Sequence, residues 1–396
     1  MVKKLYKFPE VLFFQEGPGV RNHQYTTSGV KLLNVSNLRN GQIDLTTSDR
    51  YISENEAFNK YSHFLCDPND FIIASSGIKI DSFNSKMGFI HQSDLPVCMN
   101  TSTIRFKVLN KEVLEIRYFM YYLKSVAFKK VLTKVVTGSA QLNFGPSHLK
   151  NMSISLPNLD VQKNIVQRLD RVNKLIEIKR KLLFLLDGLV KSRFVELFGN
   201  PVLNEKGWNL TSLESVCQSI YGGGTPSKKI KEYYMGTIPW VTSKDMKSDI
   251  IVDSIEHITQ VAIDNSSTKI IPPESVLIVI RSGILKHTLP VCINKSRVTI
   301  NQDLKALVLD ERCKAIYLQY LLKALEKDIL SGVRAVTADN IEFNSLKKRK
   351  IPIPPINIQI KFSQMVNQIN KLKSDVQKSI DETQLLMDSL MQEYFG

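Results

Sequence analysis

The chain has 396 residues, of which 43% are hydrophobic and 23% are charged, and this content favours two or three packed domains. Its formal net charge of +15 favours a polyanionic partner, nucleic acid ahead of an anionic membrane, although a basic protein without such a partner fits equally. No run of residues approaches the roughly 18 apolar positions that cross a bilayer, which excludes a membrane-spanning protein.

The N-terminal stretch, MVKKLYKFPEVLFF, starts with basic residues, but Pro9 and Glu10 interrupt its short apolar part. A secretory signal peptide is therefore not predicted. The cysteines are scattered and form no CxxC pair: Cys66, Cys98, Cys217, Cys292 and Cys313. This pattern predicts neither a disulfide framework nor a zinc site, and a reducing cytoplasm is the expected location.

Residues 1–157 are predicted to form a mixed α/β domain. Its strand-like sequence PVCMNTSTIRFKVL, at 96–109, precedes a short amphipathic helix, IRYFMYYLKS, at 116–125. A second mixed α/β domain is predicted at 204–354.

The second domain repeats the order of the first. PVCINKSRVTINQDLKALVL, at 290–309, precedes the amphipathic sequence AIYLQYLLKA, at 315–324. The first residues of the two strand-like segments are similar, so that Cys98 corresponds to Cys292 in the repeat. SVLIVI, at 275–280, is predicted to be a buried strand because it is short and β-branched.

A long helix is predicted after each domain. The first long helix and a linker occupy 158–203, and the second long helix occupies 355–396. Proline marks both starts, and Gly199 ends the first helix. Apolar residues recur in steps of three and four along both segments: Ile165, Leu169, Val172, Ile176, Leu183, Leu186, Val190 and Leu197, then Phe362, Val366, Ile369, Val376, Ile380, Met387, Leu390 and Tyr394.

The two long segments are copies of each other. VKSRFVELFGN, at 190–200, corresponds to the final LMQEYFG, so that Phe198 matches Phe395 at an offset of 197 residues. The same offset matches Gln162 with Gln359. Because an isolated helix cannot bury its apolar stripe, we expect the two copies to pair in antiparallel orientation.

Three further motifs mark the two domains: the turn in SIYGGGTPSKK, the run TGSAQLNFGPSHLKNMSISLP and its weaker second form SGVRAVTADNIEFNSLKKRKIPIPP. The first domain has GPG where the second has GGGTP. With these motifs in this order, doubled along the whole chain, the sequence resembles the specificity subunit of type I restriction-modification systems.

The resemblance implies an α/β (α+β) fold with two pseudo-repeated mixed α/β target recognition domains, separated by two long antiparallel coiled-coil helices. Each domain would read one half of a bipartite site on double-stranded DNA. It further implies a chain that is not an enzyme and binds no cofactor. Two methyltransferase subunits would bring S-adenosylmethionine, and two ATP- and Mg-dependent restriction subunits are possible further partners.

DNA contacts are expected from polar and basic loops, because base edges need hydrogen-bonding groups and phosphates need cations. For each residue a solvated turn is the alternative. In the first domain the candidates are Arg21, Asn22, Gln24, Tyr25, Thr26, Asn34, Ser36, Asn37, Arg39, Ser75, Ser76, Lys79, Ser139, Gln141 and Asn143. In the second they are Thr225, Lys228, Lys229, Thr242, Ser243, Lys244, Arg281, Ser282, Lys286 and Arg334. LKKRK, at 346–350, is expected to contact phosphate or solvent.

Two other classes stay open. Asp67, Asp70 and Lys79 have the residue types of a metal-dependent nuclease, so an autonomous DNA endonuclease is one alternative. A coiled-coil adaptor that binds only protein is the other. A phosphate-binding loop is not predicted in IYGGGTPSKK, since no GKS or GKT follows the glycines, and the six histidines show no metal-binding spacing.

Overall fold

The computed structural model describes residues 3–135, 141–331, 334–335 and 339–396. It divides into two compact units. Unit 1 comprises Met1–Lys179 and Ser379–Gly396, and unit 2 comprises Arg180–Lys378. The mixed α/β class predicted for the chain is confirmed in both units. The division into segments 1–157, 158–203, 204–354 and 355–396 stays a prediction.

Unit 1 contains short strands and helices before its first long helix. The strands are β1 (Lys4–Lys7), β2 (Leu12–Glu16), β3 (Val30–Leu33), β4 (Leu38–Arg39), β5 (Gln42–Ile43), β6 (Tyr51–Ile52), β7 (Phe71–Ala74), β8 (Ser76–Ile78), β9 (Met87–Phe89), β10 (Val97–Met99), β11 (Thr103–Val108), β12 (Leu142–Asn143) and β13 (Ser153–Leu156). The helices are α1 (Phe8–Val11), α2 (Ile116–Lys124), α3 (Val126–Val135) and α4 (Pro146–Leu149).

The core of unit 1 lies between an antiparallel sheet, in the order β2-β11-β7-β9, and helix α2. All four residues of β7 are buried, as expected for an apolar central strand. Phe106 of β11 faces both Phe71 and Phe119, with ring centroids 6.2 Å and 5.0 Å away. A smaller sheet, β10-β3-β6, includes the parallel pair β10 and β3.

The long helix α5 (Leu159–Phe198) leads from unit 1 into unit 2, and α10 (Ile356–Phe395) leads back. Unit 2 has the strands β14 (Asn209–Ser212), β15 (Cys217–Gly222), β16 (Ile238–Val241), β17 (Ile250–Ile251), β18 (Glu256–Ile258), β19 (Val276–Val279), β20 (Val291–Asn294), β21 (Thr299–Ile300), β22 (Leu304–Leu309), β23 (Arg334–Ala335), β24 (Asp339–Asn340) and β25 (Lys350–Ile353). Its shorter helices are α6 (Gln260–Asp264), α7 (Ala315–Ala324), α8 (Glu326–Ser331) and α9 (Phe343–Lys348).

Unit 2 repeats the plan of unit 1. Its main sheet runs β15-β22-β19-β20-β17, with the buried strand β19 at the predicted apolar segment, and its smaller sheet runs β18-β16-β21. In the smaller sheet β16 and β21 are parallel, as β3 and β10 are in unit 1. The predicted internal repeat is therefore present in strand order as well as in sequence.

The predicted correspondence of Cys98 with Cys292 in the internal repeat was wrong. Cys98 lies in β10 of the smaller sheet, where its strand runs parallel to β3. Cys292 lies in β20 of the main sheet, opposite Leu277. The residue that takes the place of Cys98 in unit 2 is Thr299 of β21, because both stand one residue before the end of the parallel pair.

The long helices have 40 residues each, about 60 Å at the standard rise. Within unit 1, Arg168 donates to the hydroxyl of Tyr394 at 3.2 Å and Lys179 donates to Thr383 at 2.6 Å. Residue numbers rise along α5 as they fall along α10, so the helices are antiparallel there. Within unit 2 the ion pair between Lys373 and Asp187, at 2.6 Å, has the same sense.

The repeated Phe-Gly ends pack on equivalent tyrosines. Phe395 of α10 lies 5.0 Å from the ring of Tyr118 in α2, and Phe198 of α5 lies 4.8 Å from the ring of Tyr317 in α7. Gly199 then has a φ of +74°, the left-handed conformation that commonly ends a helix. Each unit thus receives the aromatic end of one long helix in its core.

The matched glutamines make the same hydrogen bonds. The side chain of Gln162 accepts from the backbone of Glu115 at 3.0 Å and donates to the carbonyls of Val113 and Pro157, both at 2.8 Å. Gln359 accepts from Lys314 at 2.9 Å and donates to Arg312 and Pro354 at 3.1 and 2.8 Å. Both side chains are fully buried, so each ties the start of a long helix to the loop before a short one.

Replacing Gln359 by methionine should lower the free energy of unfolding of unit 2 by at least about 2 kcal/mol, because buried backbone groups would lose their partners. The two tryptophans, Trp208 and Trp240, lie in unit 2, so their fluorescence in urea reports this unit. The control is Gln364→Met, at an exposed position of the same helix, which should stay within about 0.5 kcal/mol of the parent. Equal effects from both changes would contradict the role given to Gln359.

Candidate nucleic-acid interface

A polar site in unit 1 forms where the parallel strands β3 and β10 end. Leu33 and Met99 are partners in the register, so Asn34 and Asn100 follow at the same edge of the sheet. The side-chain amide of Asn100 donates to the side-chain oxygen of Asn34 at 2.9 Å. Its backbone amide donates to the carbonyl of Leu33 at 3.0 Å. Two asparagines are thereby fixed side by side.

This edge opens into a recess of about 680 Å³. The recess has a mostly polar lining: Tyr25, Asn34, Val35, Ser36, Thr47, Ser48, Asp49, Arg50, Asn100, Thr101 and Ser102. The guanidinium of Arg50 lies over the ring of Tyr25, 5.2 Å from its centroid, which orients the charge in an exposed position. The recess therefore presents an exposed cation and hydroxyls, while its two asparagines, Asn34 and Asn100, are 9% and 1% exposed.

Glycine permits the strand β2 to reach this site. A Cβ on Gly17 would overlap the backbone of Asn100, so only glycine allows the close approach. In unit 2, a Cβ on Gly223 would overlap the backbone of Asn301 in the same way. These glycines serve chain packing, which agrees with the absence of a phosphate-loop pattern around them.

Unit 2 builds its counterpart from different side chains. The parallel strands β16 and β21 end at Val241 and Ile300, so Thr242 and Asn301 take the places of Asn34 and Asn100. The backbone of Thr242 donates to Asp245 at 2.8 Å, as that of Asn34 donates to Asn37. The loops after β3 and β16 therefore share a backbone hydrogen bond but carry different side chains.

The segment after Asn301 gathers further candidates of unit 2. The hydroxyl of Thr225 donates to the side-chain oxygen of Gln302. Arg281 forms an ion pair with Asp303 at 2.8 Å, and Asp303 also accepts from the Asn301 amide at 3.1 Å. The segment 301–303 therefore contacts two loops that were predicted separately, those of Thr225 and Arg281.

A family comparison decides the class of this duplicated site. The family model described as "Type I restriction modification DNA specificity domain" matches residues 26–186 and 205–383. The chain belongs to this family. Both polar sites lie in or beside the two matched stretches, and the resemblance predicted from the sequence is confirmed.

Named relatives are similar over part of their length. The EcoR124I/EcoR124II specificity subunit of Escherichia coli is 36% identical over 163 residues, which cover 40% of this chain and 40% of that protein. The MjaVIII specificity subunit of Methanocaldococcus jannaschii is 30% identical over 178 residues, or 45% and 41% of the two chains. These matches thus span about two fifths of the relatives' own length.

Solved structures show the same fold over nearly whole chains. A chain from a structure of the assembly and conformational transition of a type I restriction-modification system has a TM-score of 0.62 at 18% identity, with 100% and 97% of the two chains covered. The specificity subunit from M. genitalium has a TM-score of 0.56 at 14% identity, with 100% and 96% covered.

The remaining candidates of unit 1 differ in accessibility. Gln24 is half-buried, and its amide donates to Glu56 at 2.8 Å and to Tyr61 at 3.1 Å. Ser76 and Asn143 are brought opposite each other by strands β8 and β12. The exposed candidates are Arg21, Asn22, Thr26, Ser36, Arg39, Lys79, Gln141 and Asn143.

Two candidates of unit 1 are fully buried, and a third, Asn34, is only 9% exposed. Asn37 donates to the carbonyl of Asp44 and to Thr47, and Ser75 lies in the main-sheet core. A direct base contact from either would require the loop to open, so their role in DNA contact stays a prediction. Ser139 lies outside the described residues.

The basic candidates of unit 2 are exposed: Lys228, Lys229, Lys244, Arg281 and Lys286. Thr242, Ser243 and Ser282 are partly exposed, and the hydroxyl of Ser282 accepts from the backbone of Ile284 at 3.5 Å. Arg334 has its backbone in β23, opposite Asn340, while its side chain lies outside the described part of the chain.

The basic run LKKRK is partly engaged within unit 2. Lys347 lies 3.8 Å from Glu214, and Arg349 forms an ion pair with Asp328. Lys348 is exposed. Two of its cations already have acidic partners, so Lys348 is the better-placed member for phosphate.

The carboxylates suggested for a nuclease have protein partners. Asp70 pairs with Arg105 at 3.2 Å in the interior, and Lys107 pairs with Asp67, whose pKa this hydrogen bond lowers. In the described part of the chain, no group of three or more His, Cys, Asp and Glu side chains is placed to hold a metal ion. Among the same residues, no helix is long and apolar enough to cross a bilayer.

The cysteines are poor nucleophiles. Burial raises the pKa of Cys98, Cys292 and Cys313 to about 12 in each case. It also raises that of Cys217 to about 12 and that of Cys66 further. All five thiols therefore stay protonated near neutral pH.

Sequence reasoning missed Arg50, Asn100, Asn301 and Gln302. A signal for the asparagines exists, since VCMN at 97–100 and VTIN at 298–301 share valine and asparagine at the same spacing. The stronger match to VCIN, at 291–294, concealed it. Arg50 has no comparable signal, because only the fold places it over Tyr25.

Replacing Gly17 by alanine should lower the free energy of unfolding by about 2 kcal/mol or more, since the new methyl group would overlap rigid backbone. Gly19→Ala is the matched control, because a Cβ there meets nothing within 4 Å, and it should change stability by less than about 0.5 kcal/mol. Urea unfolding followed by circular dichroism compares the two. Similar small effects would show that the close approach to Asn100 is unimportant.

Proposed function

We propose that this chain is the DNA sequence-specificity subunit of a type I restriction-modification complex, in which each unit reads one half of a bipartite target. The observation that carries the proposal is the duplicated polar edge, with Asn100 in one unit and Asn301 in the other after equivalent parallel strands. The two relatives named above are specificity subunits of type I restriction enzymes. The names of these relatives support the class of specificity subunit, and the polar edges are the proposed positions for base readout.

The recess in unit 1 has suitable chemistry for bases. An asparagine amide can pair with both hydrogen-bonding atoms of adenine in the major groove, and an arginine can do so with guanine. Arg50 is exposed at this edge, whereas Asn34 and Asn100 are 9% and 1% exposed and bonded to each other, so a base contact from either asparagine requires the loop to open. In unit 2, Thr242 and Gln302 stand at the equivalent edge, so the second half-site is expected to differ in sequence.

Exposed cations would supply register and general affinity. Arg21, Arg39 and Lys79 surround the loops of unit 1, and the exposed lysines of unit 2 lie on its predicted loops. Contacts from such residues to phosphate fix a protein on the duplex without reading sequence. The net charge of +15 agrees with this role, and binding should weaken as salt rises.

In this proposal the chain is not an enzyme and binds no cofactor. Methylation would come from two methyltransferase subunits with S-adenosylmethionine, and cleavage from restriction subunits with ATP and Mg. Its own carboxylates at Asp67 and Asp70 are paired with Lys107 and Arg105, and its thiols are protonated. These contacts give no support to the nuclease alternative.

The long helices offer two similar faces to methyltransferase subunits. Leu175 and Leu189 are exposed on α5, and Leu372 and Leu386 are exposed at the corresponding places of α10. Exposed apolar residues repeated at the offset of 197 residues suit two copies of one partner. The adaptor alternative shares these faces, but it leaves the polar edges without a ligand.

Arg50→Ala should weaken specific DNA binding by about 1–3 kcal/mol and relax the preference within one half-site. Arg50→Lys separates two roles, since lysine keeps a phosphate contact but not a bidentate contact to guanine. Fluorescence anisotropy with the cognate duplex measures both. The control Lys163→Ala removes one exposed positive charge from α5 and should have little effect. Unchanged affinity in Arg50→Ala would remove the recess from the proposed interface.

Exchanging residues 1–157 for the corresponding domain of another specificity subunit should change one half-site and spare the other. The measurement is methyl transfer from labelled S-adenosylmethionine to a random duplex pool by the complex purified from cells. A two-part site with a fixed gap is expected for the parent. Changes in both halves would contradict separate reading, and Mg-dependent cutting by the chain alone would favour the nuclease.

A further inference from the structure

Equivalent corners of the two main sheets carry charges of opposite sign. Each corner is where the edge strand of the main sheet ends, β2 at Glu16 in unit 1 and β15 at Gly222 in unit 2. The next residue in each unit is the glycine that packs against an asparagine backbone, Gly17 or Gly223. This shared contact fixes the correspondence of the corners, so Glu16 corresponds to Gly222.

The corner of unit 1 has a carboxylate. Glu16 is opposite Ile104 in the register, and its Oε2 lies 3.4 Å from the position that a Cβ on Gly145 would take. Gly145 precedes helix α4 and stands two residues after Asn143, which faces Ser76 across strands β12 and β8. The carboxylate therefore lies among the loops from which DNA contacts are predicted.

The carboxylate of Glu16 is available to a ligand. Among the residues that the structure describes, none forms a hydrogen bond or an ion pair with it. Partial burial raises the pKa of Glu16, since no nearby cation offsets the loss of hydration. In the same unit, by contrast, Asp67 and Asp70 pair with Lys107 and Arg105. Glu16 is thus a half-buried acceptor without a donor of its own.

The corner of unit 2 has an ammonium instead. Lys305 is the register partner of Gly222, and its Nζ lies 2.9 Å from the position that a Cβ on Gly222 would take. The ammonium therefore occupies the place from which the Glu16 side chain extends in unit 1. It also lies 5.5 Å from the centroid of the Phe343 ring. No carboxylate pairs with it in the part of the chain that the structure describes.

The two charged groups differ in what they can bind. An ionised carboxylate only accepts hydrogen bonds, and an ammonium only donates them. In the major groove cytosine presents a donor, its N4 amino group, whereas guanine presents two acceptors, O6 and N7. Adenine places N7 beside its amino group and thymine presents O4, so both set an acceptor against a carboxylate. The carboxylate of Glu16 therefore suits cytosine, and the ammonium of Lys305 suits guanine.

We propose that Glu16 and Lys305 are specificity-determining residues of the two half-sites, with Glu16 accepting from N4 of a cytosine and Lys305 donating to O6 or N7 of a guanine. This rests on the proposed function, which supplies the DNA duplex as the ligand. Each half-site must then contain a G·C pair. The same corner of the repeated fold selects a different base in each unit.

The correspondence of the corners favours a base over a phosphate as the ligand of Lys305. Equivalent corners of a repeated fold are expected to face the same part of the duplex. A phosphate at that place would repel the carboxylate of Glu16 in unit 1, whereas an amino group of a base would not. A phosphate contact would also hold Lys305 equally on every sequence.

The test of Glu16 measures binding of the purified complex to its target, identified by the methylation experiment above, and to duplexes with one base pair changed. Fluorescence anisotropy gives the affinities. The parent should prefer cytosine at one position by about tenfold or more. Glu16→Gln keeps the size of the side chain but can also donate, so the preference should fall to within about threefold and admit adenine.

The matched control is Glu112→Gln, which removes the same charge at an exposed position of unit 1. It should leave the preference at every position unchanged, and circular dichroism checks that both variants fold. An unchanged preference for cytosine in Glu16→Gln would overturn the role of Glu16. A change in affinity that is equal for all sequences would overturn it too, because it would show a general effect of charge.

Lys305→Met keeps a long unbranched side chain without the ammonium, and it should reduce the preference for guanine in the other half-site to within about threefold. Replacing that guanine by 7-deazaguanine removes one acceptor and should weaken binding by the parent but not by the variant. Lys327→Met removes an exposed charge from α8 and is the control. Equal weakening on every sequence, with a lower salt slope, would make Lys305 a phosphate contact and overturn its role.

The outcomes separate the inference from the proposed function. A complex that recognises no two-part target overturns the proposed function itself. A two-part target in which either half-site lacks a G·C pair overturns the inference and leaves the proposed function standing.

Discussion

The buried glutamine at the start of each long helix is the constraint on which the arrangement of both units depends. Gln162 and Gln359 are both fully buried, and each bonds a backbone amide and two carbonyls. This fixes the long helix against the loop that leads to α2 or α7, and those short helices pack on the main sheets. Since Phe395 and Phe198 pack on the same short helices, each unit holds one helix by its start and the other by its end.

With the scaffold fixed in this way, the loops could diverge. The backbone after the parallel strands is alike in both units, because the backbone amides of Asn34 and Thr242 donate the same bond to the side chains of Asn37 and Asp245. The side chains that this backbone presents are different: Asn100 contacts an asparagine in unit 1, whereas Asn301 contacts Asp303, which also holds Arg281. A repeated frame with unlike donors and acceptors is what separate reading of two half-sites requires.

The sequence predicted the parts of the fold that follow from periodicity. The offset of 197 residues, the antiparallel pairing within each unit and the paired glutamines all emerge from apolar spacing and identical letters. A short sequence match gave a wrong correspondence between the repeats, since the shared PVC of residues 96–98 and 290–292 lies in different sheets. Arg50 could not be predicted, because only the fold places it over Tyr25, and the burial of Asn37 depends on how the following loop returns Asp44 and Thr47 to it.

The exposed faces of the long helices obey a different constraint from their buried faces. The buried stripe must fill a core in both copies, so Ile165 and Phe362, or Phe198 and Phe395, stay apolar and large. The exposed residues are free of that requirement: Leu175 and Leu372 are both leucines, whereas Leu182 corresponds to Ser379. The two copies therefore stay alike where a core constrains them and diverge where none does.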